Sequence, residues 1–326
     1  MMLSLHLLLS VAGCAARDSA PEPNASAQIS TQAKLFNAAL ERADGRAIVV
    51  TDLDLAKEFI AEQRELEPED YSPPAAIRKQ TDGAQLVGTT QVYSFLSEPA
   101  RATTLIYLAG GAYIYGPTGM HLDFANKMAE ALDAEILLPA YPVTPHATAA
   151  QANADLVKMY QALVESRPEQ EIILMGDSSG GGLALSMAQQ IQAAGLRPAD
   201  HVVMISPWLD ITMANPDITP ERDAGDFMLD AKALAYVGQV WAGELALDDP
   251  RVSPLHGPLL GIGELTLVSS DNELFIPDIH LLVARAEKEG AVVNYHEYVN
   301  LFHDFTVLGV PESKVAMADI VAAIQD

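Results

Sequence analysis

The feature that most constrains the fold of this 326-residue chain is a G-x-S-x-G sequence between a strand and a helix. The sequence GDSSG at 176–180 directly follows the apolar run Ile172–Met175 and directly precedes a helical stretch over 181–194. A serine in so tight a turn takes a strained backbone, and the residues two before and two after it must be small. The pattern therefore predicts Ser178 as a nucleophile. Ser179 does not fit that role, because an aspartate stands two residues before it.

Short apolar runs alternate with helical stretches along most of the chain. The predicted buried strands are Thr103–Leu108, Ile136–Leu138, Ile172–Met175, Val202–Ile205 and Leu265–Val268, and the helices lie near 121–133, 148–165, 181–194, 229–243 and 279–289. This alternation predicts an α/β fold with a mostly parallel central sheet and helices on both faces. Gln91–Phe95 alternates and predicts a half-exposed strand.

Two amphipathic helical segments, near 31–43 and 53–65, precede the sheet pattern. A breaker, Ser72-Pro73-Pro74, follows them. We therefore expect a small helical cap over 31–80 and a catalytic domain over 81–326.

A serine nucleophile needs an adjacent base that a third group holds in place. Three of the five histidines downstream of Ser178 lie on predicted strands or helices: His201, His280 and His296. His303 lies in the loop between the last predicted strand, Val292–Tyr298, and the final predicted helix, where such a fold presents its base. His303 is the predicted base, and His256, in an earlier loop, is the alternative.

The third group should lie in the loop that follows the strand Leu265–Val268. That loop offers two carboxylates, Asp271 and Glu273, and position alone does not separate them. Asp278 comes after a proline at a helix start, which is typical of a capping residue.

A paired-glycine turn follows the strand Thr103–Leu108. Glycines there allow backbone N–H groups to face a substrate without interfering side chains. We expect the N–H groups of Gly110, Gly111 and Ser179 to form an oxyanion hole, where negative charge on the substrate is stabilised.

The amino terminus carries a targeting pattern. Leu3–Ala12 is apolar but too short to span a bilayer, as in a secretory signal. Val11-Ala12-Gly13-Cys14 resembles a bacterial lipoprotein box, which implies a signal peptide over 1–13, lipidation of Cys14 and a flexible tether over 14–30. The enzyme would then be anchored on the cell envelope, facing the periplasm or the exterior. The alternative is an ordinary cleaved signal and a soluble periplasmic or secreted protein.

The charge balance excludes several partners. Asp and Glu number 44 against 19 Lys and Arg, for a net charge of −25. Such a surface repels nucleic acid and anionic lipid, so we expect membrane contact only through the lipid anchor. The single cysteine excludes an internal disulfide and a multi-cysteine zinc site, and nothing in the sequence indicates a metal or another cofactor.

Several segments resemble the hormone-sensitive-lipase-like group of α/β-hydrolases, the fold-3 esterases. The segment 176–181 is similar to the family's GDSAGG, Ser206–Asp210 to its SPW-x-D and Val252–Leu255 to its short SP loop. Phe302–Phe305 matches the H-x-F sequence around the family's base. Asp271–Asp278 looks like the family sequence T-H-E-I-L-x-P-D.

The resemblance covers the chain from about residue 80 onwards, and it places the catalytic acid on Glu273. It implies a serine carboxylic ester hydrolase with a Ser178–Glu273–His303 triad and an acyl-enzyme intermediate. The implied substrates are short- to medium-chain acyl esters or lactones, and no cofactor is implied. An amidase or peptidase would use the same triad.

Two departures from the family stand out. Ala109 replaces the histidine of the family's HGGG or HGGA motif, and Pro142 replaces the arginine of its Y-R-x-A-P-E segment. The missing histidine is thought to brace the oxyanion loop, whose donors are backbone groups. Its loss motivates the alternative of a weak or inactive hydrolase-fold binding lipoprotein. Neither departure affects the triad.

Overall fold

The structure is a computed structural model that describes residues 29–43, 49–66, 84–87, 90–95 and 102–325. Its strands are β1 Ala84–Val87, β2 Thr90–Phe95, β3 Thr103–Leu108, β4 Glu135–Pro139, β5 Glu171–Asp177, β6 His201–Ile205, β7 Glu264–Ser270 and β8 Val293–Tyr298. They form one sheet in the order β1-β2-β4-β3-β5-β6-β7-β8. β2 runs antiparallel to both of its neighbours, β1 and β4. The other strands, in the sheet order β4-β3-β5-β6-β7-β8, run parallel to one another. The predicted mostly parallel α/β sheet is confirmed.

The helices divide between the two faces of this sheet. They are α1 Thr31–Ala43, α2 Leu53–Arg64, α3 Gly119–Leu132, α4 Ala149–Ser166, α5 Ser178–Ala193, α6 Pro220–Gly225, α7 Ala231–Ala242, α8 Ile276–Glu289 and α9 Pro311–Gln325. One hydrophobic core contains side chains of α2, α4, α5, α7 and α8, and the other contains side chains of α1, α3 and α9. Within the described residues, no helix combines the length and apolar character that crossing a membrane requires.

Alternate residues of the central strands enter opposite cores. In β3, Leu105 and Tyr107 pack on one face, while Ile106 and Leu108 pack on the other. Both faces being covered explains why the parallel strands read as continuous apolar runs. The prediction that β2 is half-exposed is wrong. Only Gln91 of this strand is exposed, because both faces of the sheet are covered there as well.

Helix α6 was not predicted from the sequence. It has six residues, with Pro220 in its first turn and the Thr219 hydroxyl accepting the N–H of Arg222. A helix of six residues is too short to show the apolar periodicity that predicts helices, and none of its residues is buried. Only its cap and its proline could have indicated it.

The predicted early helices are present at 31–43 and 53–64. Phe36 of α1 stacks on Phe302 with ring centroids 4.4 Å apart. Ala56 and Ile60 of α2 are buried in the core that contains α7. Other predicted features lie outside the described residues: the signal peptide 1–13, Cys14, most of the tether and the breaker at 72–74.

Candidate active site

The predicted catalytic side chains follow three parallel strands at one edge of the sheet. Ser178 comes directly after β5, Glu273 lies three residues beyond β7, and His303 lies five residues beyond β8. The carboxyl ends of parallel strands meet at the same edge, where α/β proteins place their sites. Residues that are far apart in sequence are thereby brought within hydrogen-bond distance.

His303 links the serine to the acid. Its Nε2 lies 2.9 Å from Ser178 Oγ, and its Nδ1 lies 2.8 Å from Glu273 Oε2. The edge of the imidazole packs against the Phe275 ring, with centroids 5.2 Å apart and an interplanar angle of 85°. The geometry is that of a nucleophile, a base and an orienting carboxylate.

The other four histidines that follow Ser178 in the sequence pair with carboxylates away from it. His256 Nε2 lies 3.3 Å from Asp210 Oδ2, so the alternative base is engaged elsewhere. The remaining three pairs are His201–Glu171, His280–Glu297 and His296–Asp319.

Ser178 occupies a strained elbow. Its φ is +51°, in the left-handed region that side chains rarely adopt. A Cβ on Gly180 would lie 2.0 Å from the carbonyl oxygen of Leu108, and one on Gly176 would lie 2.2 Å from that of Gly180. Both flanking positions therefore require glycine. The serine also begins α5, whose amino-terminal dipole favours negative charge at this point.

The two carboxylates of the acid loop face different partners. Glu273 is fully buried, and its Oε1 accepts hydrogen bonds from Ser206 Oγ at 2.8 Å and from the N–H of Ser270 at 2.6 Å. Asp271 instead accepts the N–H of Asn300 at 2.7 Å. Of these two carboxylates, only Glu273 contacts the imidazole of His303, and it is the one that the resemblance implies as the acid.

Residues outside the predicted set hold this loop. Arg222 Nη1 donates to the carbonyls of Asp271 and Glu273, at 3.1 Å each. Ser206, which binds Glu273, has a φ of +44°. The available signals were its position directly after β6 and its place in the segment similar to SPW-x-D, but neither assigns Ser206 a role.

The expected capping role of Asp278 is not observed. It lies in the first turn of α8, but its Oδ1 accepts from Asn215 Nδ2 at 2.8 Å and not from a backbone N–H. Burial raises the pKa of this carboxyl to about 6.

The glycine turn after β3 lies against the elbow, and it corrects one expectation. The N–H of Gly110 donates to Asp177 Oδ1 at 3.1 Å, so it is not free to bind a substrate oxygen. Gly111 and Ala112 line the cavity next to Ser178, and their N–H groups have no acceptor among the described residues. The backbone donors available next to Ser178 are therefore the N–H groups of Gly111, Ala112 and Ser179, the last in the first turn of α5.

A network around Asp177 braces this turn from the α3 side. His121 Nε2 lies 3.3 Å from Asp177 Oδ2, and the Tyr107 hydroxyl donates to Asp177 Oδ1. His121 Nδ1 accepts the N–H of Thr118 at 2.9 Å, so the ring proton of the neutral imidazole lies on Nε2 and faces Asp177. Burial raises the pKa of Asp177, but His121 and the hydrogen bonds outweigh this and leave it below the usual range. His121 thus supports, through Asp177, the turn that follows Ala109.

His303 is surrounded by carboxylates. Asp304 Oδ2 lies 3.3 Å from His303 Nε2, on the side of the ring opposite Glu273. Burial by itself lowers the pKa of His303, but the charges of Asp304, Glu273 and Asp226 outweigh it and raise the pKa to about 9. The raised pKa means that His303 remains protonated to a higher pH than an ordinary histidine.

These groups open onto a cavity of about 200 Å³. Its wall includes Ser178, His303, Asp304, Asp177 and His121, and no lysine or arginine is among its lining residues. The rest of the lining is largely apolar and includes Val50, Tyr115, Met120, Met228, Leu229, Val307 and Leu308. In the part of the chain that is described, no group of three or more His, Cys, Asp or Glu side chains could hold a metal ion.

A parallel α/β sheet that presents a serine, a histidine and a carboxylate in this geometry defines an α/β-hydrolase. A family model described as alpha/beta hydrolase fold matches residues 105–307. An acetyl-hydrolase from Streptomyces hygroscopicus is 33% identical over 211 residues, which cover 63% of this chain and 69% of that protein. An esterase from Acinetobacter venetianus is 29% identical over 226 residues, which cover 68% of this chain and 74% of that esterase.

A solved structure described as a hormone-sensitive lipase from a metagenome library superposes with a TM-score of 0.74 at 22% identity. The superposition covers 91% of this chain and 98% of that one, and it shows the shared fold. The chain belongs to the alpha/beta hydrolase fold family. The predicted enzyme class, a carboxylesterase-like serine hydrolase, is confirmed.

The contacts of the two carboxylates predict unequal effects of their removal. Glu273→Gln should lower kcat about 10⁴-fold, since the amide cannot orient the imidazole or stabilise the imidazolium. Asp271→Asn, which alters only the contact with Asn300, should lower kcat by less than about tenfold. Steady-state kinetics on a soluble ester will measure both, with circular dichroism to verify folding. The reverse ranking would move the acid to Asp271.

The raised pKa of His303 predicts an alkaline enzyme. His303 must be neutral to accept the serine proton, so kcat/KM should rise with pH and reach half its plateau near 9, instead of near the ordinary value of 6.5. Asp304→Asn removes a charge that stabilises the imidazolium, so it should move this midpoint to lower pH.

Hydrolysis of an aliphatic ester, followed by titration of the released acid, will give the profile. Asp271→Asn serves as the control of equal charge change and should leave the midpoint in place. A wild-type midpoint near 6.5 that Asp304→Asn does not move would contradict the assignment.

Proposed function

We propose that the enzyme hydrolyses carboxylic esters through a covalent acyl-enzyme on Ser178. The observation that carries this proposal is the hydrogen-bonded chain from Ser178 Oγ through His303 to the buried Glu273. Esterase and acetyl-hydrolase relatives support the ester as the substrate class.

In the first half of the reaction, Ser178 Oγ attacks the ester carbonyl carbon while His303 Nε2 accepts the hydroxyl proton. Glu273 holds the imidazole through Nδ1 and stabilises the imidazolium. The N–H groups of Gly111, Ala112 and Ser179 bind the oxygen on which negative charge develops. The tetrahedral intermediate then collapses, the bond to the alcohol oxygen breaks, and His303 Nε2 returns its proton to that oxygen.

In the second half, water replaces the alcohol. His303 takes a proton from the water as the water oxygen attacks the acyl carbon, and the proton passes to Ser178 Oγ when the acid leaves.

The size and lining of the cavity indicate a small ester. A largely apolar space of about 200 Å³, shared by the two parts of the ester, suits a short or medium acyl chain. We expect simple esters or lactones of such acids as substrates.

The observed brace argues against the reading of an inactive binding protein. That reading rests on the missing histidine at Ala109, but Asp177 holds Gly110 and is itself held by His121. The turn therefore has a support from another helix, and the Tyr141 hydroxyl donates to the carbonyl of Ala109 at 2.5 Å.

A p-nitrophenyl ester series from acetate to palmitate, hydrolysed by residues 15–326, tests this function. Turnover should peak at short or medium chains and fall at least about 10⁴-fold in Ser178→Ala, which removes the nucleophile. Ser179→Ala, at the neighbouring position, keeps the backbone donor and should retain most of the turnover. Turnover that survives in Ser178→Ala would overturn the assignment, and an equal loss in both variants would point to damage to the fold.

The enzyme's location is a separate proposal, supported by the apolar run Leu3–Ala12 and the small residues before Cys14. Lipidation of Cys14 would anchor the enzyme on the bacterial envelope, and 14–30 would tether the catalytic domain. One acyl chain binds a membrane only weakly, so stable anchoring implies more than one chain on this cysteine.

Fractionation of a bacterium that expresses the full chain tests the anchor. The wild-type protein should sediment with the membranes, and Cys14→Ser should appear in the soluble fraction or as an unprocessed precursor of higher mass. Ser19→Ala, in the tether, is the control and should sediment like the wild type. A soluble wild-type protein would favour an ordinary secretory signal.

A further inference from the structure

Asp304 is a carboxylate in the active-site cavity that takes no part in the proposed reaction. Its side chain is 14% exposed, and it lines the cavity beside Ser178 and His303. Oδ2 lies 3.3 Å from His303 Nε2, while the buried Oδ1 has no hydrogen-bond partner among the described residues. A buried carboxylate oxygen without a partner is costly, and a ligand that carries positive charge would reduce this cost.

The position of Asp304 relates it to one part of the substrate. His303 Nε2 is the atom that protonates the departing alcohol oxygen, so that oxygen must come within hydrogen-bond distance of Nε2. A carboxylate 3.3 Å from the same nitrogen therefore borders the alcohol part of the ester. The acyl part lies beyond the carbonyl carbon, on the other side of the breaking bond.

Asp304 also lacks a permanent counter-charge. His303 is neutral when it accepts the serine proton, and at that stage no lysine or arginine among the described cavity-lining residues balances Asp304. The carboxylates of Asp177, Glu273 and Asp226 lie near it, and no lysine or arginine lines the cavity. Burial, the largest effect, and these charges raise the pKa of Asp304, although His303 opposes them. A positive charge supplied by the substrate would offset this cost.

We propose that Asp304 is a specificity-determining residue that selects esters whose alcohol part carries a positive charge, the class of amino-alcohol esters. The proposal rests on the ester hydrolysis proposed above. The largely apolar lining, with the Tyr115 ring in it, suits the methyl groups of a substituted ammonium. Conversely, an anionic group at the same place would meet Asp304 and should be rejected.

Two acetate esters of equal shape test the charge alone: that of choline, and that of 3,3-dimethylbutanol, in which carbon replaces the ammonium nitrogen. The measured quantity is the ratio of kcat/KM for the charged ester to kcat/KM for the neutral ester. In Asp304→Asn this ratio should fall about tenfold relative to the wild type. Because the ratio compares two substrates on one enzyme, a general loss of activity cancels.

Asp271→Asn, outside the cavity, changes the net charge equally and should keep the wild-type ratio. This control matters because a protein of charge −25 attracts any cation by long-range steering. Assays at 0.5 M salt suppress that steering and should leave the effect of Asp304→Asn in place. Asp304→Gly is a second variant, since glycine accepts the φ of +57° at this position.

An unchanged ratio in a folded Asp304→Asn or Asp304→Gly overturns the proposal, and so does an equal fall in Asp271→Asn. Failure of the underlying function looks different, because the wild-type enzyme would then hydrolyse neither the charged nor the neutral ester. Turnover of the neutral ester with a ratio independent of Asp304 refutes the specificity alone.

Discussion

The site depends on accommodating a fully buried carboxylate, that of Glu273. Removing an ionised carboxylate from water costs several kcal/mol, unless hydrogen bonds and a partner charge replace the lost hydration. Glu273 receives three such bonds, from Ser206, from the N–H of Ser270 and from His303. Each donor comes from a different stretch of chain, following β6, ending β7 and following β8. The carboxylate therefore requires the sheet edge to be assembled before it can be accommodated.

Close backbone contact at the elbow places a second constraint on the same edge. Gly176 and Gly180 bring β5 and α5 so near to the end of β3 that no side chain fits between them. This contact sets the oxyanion turn beside Ser178, and Asp177 then fixes the turn through Gly110. Ser178 and the glycine turn are thus positioned by this backbone packing together with the hydrogen bond from Gly110 to Asp177, neither of which involves the Ala109 side chain.

The electrostatics of the cavity follow from the number of acids that surround one base. Glu273, Asp304 and Asp226 all stabilise the imidazolium form of His303, so the base is strong but remains protonated to higher pH. This arrangement is the basis of the expected alkaline pH profile and of the proposed preference for a positively charged alcohol part. The apolar lining around these groups strengthens both effects by excluding water.

The sequence by itself determined the order of strands and helices, the elbow and the candidate residues, because these depend on local spacing. Apolar runs marked the buried strands, and GDSSG marked the nucleophile. Spacing alone could not choose between Asp271 and Glu273, which are two residues apart in one loop. The family resemblance pointed to Glu273, and the tertiary structure supplies the physical difference: the Glu273 side chain contacts His303 and Ser206, whereas that of Asp271 contacts the N–H of Asn300.

Tertiary structure likewise decided that Gly110 is occupied by Asp177, that His121 braces the turn and that Asp304 faces the catalytic nitrogen. The partners in the first two contacts are more than 50 residues apart, so no local pattern records them. Asp304 adjoins His303 in sequence, but its direction depends on a left-handed backbone and on Ser206 bound to its N–H. Local spacing fixes which groups are available, and the packing of distant segments fixes where each group points.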